Sequence, residues 1–257
     1  MRQFLLVLMA GLALVLAGCT TSTGGGGGGD QVNTQDFYPN DEDNYWTYTV
    51  TSDPVDYNET WEVIDDPGYQ LCYSQQRMRA HVEGDHDETV VDTFFTDDET
   101  EAVLLEGYFA YDEGDLDWHY EFEDDPWTLL WWNSDGLDVG DTWDAWDISD
   151  IPPEVFGFED APIDSIGFDL GAEVMDTNDF DYEGDTLTAY EIRFTGDIIL
   201  EVDAEDPEDW DRFDWRQDMY FVPEFGWVMI QMYEPGIFGV TATDFYTLTD
   251  TNVPIPD

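Results

Sequence analysis

What most constrains this chain is the two-residue period of its apolar side chains. In Tyr45-Trp46-Thr47-Tyr48-Thr49-Val50-Thr51 large rings and β-branched residues alternate along the run, the pattern of a strand with one face in a core and the other in water. Turn-forming clusters break the alternation: Asp53-Pro54, Asp65-Asp66-Pro67-Gly68, Glu83-Gly84-Asp85, Thr96-Asp97-Asp98 and Ser134-Asp135-Gly136. They recur about every ten residues, as in chains built of many short strands. Strands are expected at 45–51, 60–64, 69–74, 77–83, 89–95, 102–109, 118–122 and 128–132, then at 142–148, 163–175, 186–195, 198–202, 215–222, 227–233 and 240–248. A weak helical pattern covers 207–215. Short links between sequential strands make neighbours antiparallel. The expected fold is therefore all-β, an antiparallel meander curling into a sandwich, half-barrel or barrel with little helix.

Charge comes next. Sixty-two acidic residues stand against six arginines and no lysine. Such a balance alone would favour disorder, but 11 Trp, 14 Tyr and 16 Phe supply ample surface to bury. The result is a folded domain with an acidic skin, spread from Asp30 to Asp257 without one dominant block. Adaptation to a saline habitat explains it: at about 1 M salt the Debye length falls to about 3 Å and self-repulsion is screened. A specific cationic partner or calcium is the alternative. Nucleic acid is not an expected partner, because its phosphates would be repelled.

The N-terminus is apolar over 4–16, after a single positive charge at Arg2. Thirteen residues are too few for a comfortable bilayer span, and the pattern is that of a signal peptide. Its end, Leu16-Ala17-Gly18-Cys19, resembles the lipobox of bacterial lipoproteins. That resemblance implies cleavage after residue 18, acylation of Cys19 and anchorage in a membrane of the cell envelope. Two or three acyl chains make such anchorage stable where one does not. Residue 20 is Thr20 rather than aspartate, which by the sorting rule of Gram-negative lipoproteins favours the outer membrane. The six glycines at 24–29 lie in a polar tether, 19–36, whose flexible coil spans about 20 to 25 Å. Loss of residues 1–18 removes Arg2, leaving five positive charges against 62 negative, a net of −57. With Cys19 acylated, Cys72 has no disulfide partner; it lies in an alternating apolar run and reads as a buried strand cysteine.

Three further motifs carry a second resemblance. Phe37-Tyr38-Pro39 followed by Asn44-Tyr45-Trp46-Thr47-Tyr48 is similar to the opening Phe-Pro-Leu-x-x-Gly-Asn-x-Trp-x-Tyr of a broad group of bacterial lipoproteins of unknown function, with Asn40 for its leucine and Asp43 for its glycine. Leu137-Asp138-Val139-Gly140-Asp141-Thr142-Trp143 matches a midway element of that group. Tyr220-Phe221-Val222-Pro223-Glu224-Phe225-Gly226-Trp227-Val228 is similar to its closing Tyr-x-Val-Pro-Gly-x-Gly-x-Val-Lys, with Glu224 for the first glycine and Met229 for the lysine. The resemblance implies a β-rich envelope module over 37–257 and leaves its activity open. The opening and midway elements echo each other as turn, Trp and aromatic, so two related halves, 37–133 and 134–257, are an alternative organisation.

Chemistry is constrained mainly by what is missing. Without lysine there is no P-loop lysine, Schiff base or Ser-x-x-Lys nucleophile. Ser165 lacks the first glycine of a nucleophile elbow, and His81, His86 and His119 form no zinc motif. No catalytic residue is assigned, and the chain is expected to be non-enzymatic. A hydrolase using two carboxylates is a remaining alternative, since so many acids form pairs by accident. Calcium has one candidate site, Asp179, Asp181, Glu183 and Asp185, against a plain solvated hairpin tip. The tryptophans Trp118, Trp127, Trp131, Trp132, Trp143 and Trp146 cluster in sequence. Trp131, Trp132, Trp143 and Trp146 are candidates to bind a carbohydrate or hydrophobic ligand, the alternative being core packing. Adjacent rings such as Trp131 and Trp132 face opposite sides of a strand.

The acidic skin generates a prediction: the fold is looser at low ionic strength, and its unfolding midpoint rises between low and molar sodium chloride. A midpoint indifferent to salt would remove the halophilic reading.

Overall fold

The structure, a computed structural model, describes residues 37–39, 43–51, 56–65, 73–80, 88–97, 102–112, 115–122, 125–133, 136–153, 163–201, 211–236 and 239–256. The expected signal peptide, Cys19 and the expected tether lie outside these residues, as do Cys72, His81 and His86. Among the described residues thirteen strands follow one another. In the first half they are β1 (Tyr45–Thr51), β2 (Tyr57–Asp65), β3 (Tyr73–Ala80), β4 (Glu88–Asp97), β5 (Ala102–Asp112), β6 (Asp115–Glu121) and β7 (Trp127–Trp131). The second half contributes β8 (Thr142–Ile151), β9 (Ser165–Tyr182), β10 (Asp185–Glu201), β11 (Asp211–Val222), β12 (Gly226–Gly236) and β13 (Gly239–Thr251).

All thirteen belong to one antiparallel sheet, in the order β6-β5-β4-β3-β2-β1-β13-β12-β11-β10-β9-β8, with β7 also on β5. Each half is thus an up-and-down meander, and the two are sewn together where the first strand pairs with the last. Trp46 lies opposite Thr251 on one side and Trp61 on the other. β5 shares its far edge between two partners, β6 along Gly107–Asp112 and β7 along Ala102–Leu105.

Three expectations about the elements are corrected. The expected strands 69–74 and 77–83 are represented by the single strand β3, which runs through Gln75-Gln76 without a break. The expected break between 195 and 198 is absent, because β10 runs on through Gly196. A side chain there would put its Cβ 1.9 Å from the carbonyl oxygen of Asp169 on β9, so the backbones approach at a place only glycine allows. The described part of the weak helical pattern, from Asp211 onward, is strand, because Phe213 and Trp215 fall on the inner face of β11 opposite Ile198 and Gly196.

The sheet curls without closing into a barrel by backbone pairing. Its two ends, β7 and β8, face one another across a seam bridged by side chains. Trp143 on β8 donates its indole N–H to the carbonyl of Thr128 at 3.0 Å, and Trp146 donates to the carbonyl of Asp125 at 3.0 Å. The concave interior holds one apolar cluster drawn from both halves, dominated by Trp46, Trp61, Trp127, Trp132, Trp215 and Trp227.

One end of the curled sheet is plugged. Phe37 and Tyr38 are buried there, Phe37 stacked 4.7 Å from Trp132 and Tyr38 stacked 5.9 Å from Phe221. The backbone N–H of Glu224 donates to the carbonyl of Phe37 at 2.9 Å. On β1, Trp46 donates to the carbonyl of Phe225 and Tyr48 to that of Trp227, each at 2.9 Å. The midway segment joins the same end, with the N–H of Gly140 on the carbonyl of Val174 and the N–H of Val174 on that of Asp141. The opening and closing motifs read from the sequence therefore meet at this plug, widely spaced as they are along the chain.

Turn geometry explains two departures. Asp43 and Glu224 stand where the resembled motifs carry glycine, and both have positive φ, 71° and 64°. Glycine takes that conformation freely, whereas a side chain costs about 1 kcal/mol or more. At Gly226, with φ of 101°, a Cβ would lie 2.9 Å from the Trp46 indole nitrogen.

Opposite effects are predicted at these neighbouring positions. Glu224→Gly raises stability by about 0.5 kcal/mol after allowance for the freer unfolded chain. Gly226→Ala lowers it by about 2 kcal/mol or more, through backbone strain and loss of the Trp46 contact. Urea unfolding of the two variants decides, and shifts of the same sign would refute the assignment of strain to Glu224.

Candidate functional site

The tryptophan candidates divide by what covers their rings. Trp146 is buried with Trp127 stacked on one side at 5.1 Å and 1° and Phe168 stacked at 4.5 Å and 9°. Its faces are taken by protein rings, leaving none for a sugar. Trp132 is buried against Phe37 in the plug. Trp143 is half-buried, edge-on to Phe194 at 6.2 Å, with its N–H committed to the seam. Trp131 is partly exposed, on the strand face opposite to Leu130 and next to the buried Trp132. The four do not form one surface. Trp143 and Trp146 meet at the seam, Trp132 belongs to the plug, and Trp131 looks outward.

The calcium candidates sit on the hairpin that joins β9 and β10. Glu183 and Gly184 form its two-residue turn with φ of 51° and 100°, the paired positive values of a type I′ hairpin. Register sets Asp181 opposite Thr186 and Asp179 opposite Thr188, whereas Asp185 lies opposite Tyr182. Residues directly opposite share a face, so Asp179 and Asp181 point to one side of the ribbon and Asp185 to the other. Tyr182 is buried against Phe225 at 5.4 Å, while Asp181 accepts a hydrogen bond from the Thr186 hydroxyl at 2.7 Å. The four carboxylates do not converge, and among the described residues no group of three or more His, Cys, Asp or Glu gathers as a metal site.

Three buried polar side chains escaped notice in the sequence. Glu59 on β2 is fully buried and accepts the Trp61 indole N–H at 2.6 Å. Its phase was readable, since it stands two and four residues from the inward Trp61 and Val63. Gln217, 1% exposed, is likewise in phase with Trp215 and Met219 on β11. Asp218 had no such signal, because it lies on the outer face and is buried by its neighbours.

That outer face carries the strongest electrostatic feature among the described residues. Register puts Arg193 of β10 directly opposite Asp218 of β11. Arg193 Nε donates to one carboxylate oxygen at 2.8 Å, and Arg216 grips both oxygens from two residues away. The Tyr233 hydroxyl on β12 adds a donor at 3.0 Å, and the Arg216 guanidinium rests 4.3 Å above the Tyr233 ring. Arg193 also pairs with Glu191 at 2.8 Å. Burial pushes the Asp218 carboxyl up, but the hydrogen bonds and charges of Arg216 and Arg193 outweigh it and hold it below the usual carboxylate range. Tyr220 beside this cluster is pushed up to about 12, by burial first and then by the charges of Glu191 and Asp218.

This clamp ties three strands on their outer side and has no room for a reacting group between its members. The buried carboxylates among the described residues, Glu59 and Asp218, lie on opposite faces of the sheet. They do not form the facing pair that glycoside hydrolysis needs.

The sign of the pH effect follows. A carboxyl whose folded pKa is depressed below the unfolded value of about 3.9 stabilises the fold above that value and loses the contribution as pH falls through the folded pKa. Asp218→Asn should cost about 2 kcal/mol at neutral pH by taking the shared anion from two guanidiniums, of which Arg193 keeps Glu191. It should also flatten the fall of stability with acidification below about pH 4. A variant with unchanged acid sensitivity would show that the clamp does not set it.

No family model matches the chain, and no curated protein or solved structure matches it.

Proposed function

We propose that this chain is a membrane-anchored envelope lipoprotein whose β domain is a non-catalytic binding or structural module, adapted to a saline environment. Cys19 carries the acyl chains, residues 19–36 are the tether, and Thr20 favours the outer membrane. The observation that supports this reading is the plug. The first described residues after the tether, Phe37 and Tyr38, seal one end of the curled sheet, and the closing motif packs on them. A domain hung from such an end is fixed where the tether enters, while the strand ends at Thr51, Ala80, Ile151 and Glu201 point the other way. The joining of the opening and closing motifs at one end supports this reading, as does the positive φ of Asp43 and Glu224, a conformation that suits the glycine of the resembled motifs.

Metabolic labelling with an alkyne-bearing palmitate analogue in a bacterial host tests the anchor. The natural chain should take up label, fractionate with membranes and show a mature N-terminus at residue 19; Cys19→Ala should lose label and membrane association together. An unlabelled natural chain recovered in the aqueous fraction would overturn the proposal.

A further inference from the structure

Behind the tryptophan seam lies a group of side chains that the plug and the outer clamp leave unexplained. Trp127 on β7 stands edge-on to Trp215 at 6.0 Å and to Phe194 at 5.9 Å. Gln217 is two residues along β11 from Trp215, on the same inner face, paired across to Phe194 on one side and Met232 on the other. Thr243 stands on β13 at the irregularity that faces Met232. These residues adjoin one another around one stretch of the interior.

Four of them hold polar atoms cut off from solvent with no hydrogen-bond partner among the described residues: the indole nitrogens of Trp127 and Trp215, the carboxamide oxygen of Gln217 and the hydroxyl of Thr243. The Trp132 and Trp227 indoles share that condition at the plugged end. Folded proteins rarely leave such groups unmatched, and several side by side are rarer still. The contrast inside this molecule is sharp, for the indoles of Trp46, Trp61, Trp143 and Trp146 each have an acceptor.

We infer that this stretch of the interior is a binding site for a small neutral polyhydroxylated molecule, a monosaccharide or polyol. The inventory fits a group that both donates and accepts, as a hydroxyl or a water molecule does. Two N–H groups need acceptors, one carboxamide oxygen needs a donor, and a hydroxyl is both. The rings of Trp215, Trp127 and Phe194 lie beside these groups, and the C–H side of a sugar packs on such rings. None of the four polar side chains carries a charge, and an anion would enter against the field of the whole acidic chain. The way in is the seam between β7 and β8, which two indole hydrogen bonds hold shut where a backbone ladder would be permanent. This site goes beyond the anchored-module reading and does not depend on Cys19 being acylated.

The test uses the full chain in molar salt, in micelles of a detergent without a sugar headgroup, with ¹⁵N-labelled tryptophan. Glycerol, myo-inositol, glucose, galactose and N-acetylglucosamine are titrated in turn while the indole N–H signals are followed. At least one should move the Trp127 and Trp215 signals saturably and raise the unfolding temperature. Gln217→Met should weaken that ligand about tenfold, as expected for a lost buried hydrogen bond, while the ligand-free variant unfolds no earlier than the natural chain. That last readout separates lost binding from lost folding. Trp143→Phe should speed association with little change in equilibrium affinity, since it removes a seam hydrogen bond while keeping a ring edge-on to Phe194. Three results would overturn the inference: no probe moves either indole, a probe binds the Gln217→Met variant as well as the natural chain, or the two N–H groups contact only internal water that no probe displaces.

Discussion

Two hydrogen bonds from the first strand to the hairpin of β11 and β12 hold this architecture in register. Trp46 and Tyr48 reach the carbonyls of Phe225 and Trp227, residues 179 positions away in each case. Because the strand order places β1 between β2 and β13, these bonds fix the place where, among the described residues, the two meanders are joined by backbone pairing. The plug of Phe37 and Tyr38, the glycine at Gly226 and the left-handed turn at Glu224 all serve that junction. A chain whose termini must find each other before its sheet is continuous has little local structure to guide it, and such β topologies fold slowly.

The interior and exterior solve different problems. Inside, a core rich in indole rings is filled by ring-on-ring packing, which brings polar N–H groups into the dry interior along with the apolar surface. Some of those N–H groups are satisfied by carbonyls at the plug and the seam or by Glu59, and those of Trp127 and Trp215 belong to the proposed sugar site. Outside, repulsion among acids is the constraint. There the few arginines matter more than their number suggests, since two of them are spent on a single carboxylate, Asp218, that is itself nearly enclosed. The clamp neutralises locally what salt screens elsewhere.

Much of the fold was legible because alternation is a local property. The strands at 45–51, 102–109 and 142–148, and the tight turn in Pro223-Glu224-Phe225-Gly226, follow from neighbouring residues alone. Pairing is not local, and there the sequence was silent. Trp143 and Trp146 are three residues apart, a spacing that sends side chains to opposite faces of a regular strand. An irregularity between Asp144 and Trp146 in the pairing of β8 with β9 brings both to the seam. Nothing in the sequence marks Arg193 and Asp218 as partners, because they become neighbours only through the register of β10 and β11. The candidate calcium residues failed to converge for the same reason, since spacing gave their order along the ribbon while register gave their faces.

The placement of the first strand has a mechanical consequence. β1 enters the sheet at the plugged end and is bonded along both edges, to β2 and to β13. Tension drawn on the chain from its N-terminal side runs along the axis of that strand, so both ladders are loaded in shear, many bonds at once, and are not unzipped one pair at a time. The domain is built to be pulled from that end.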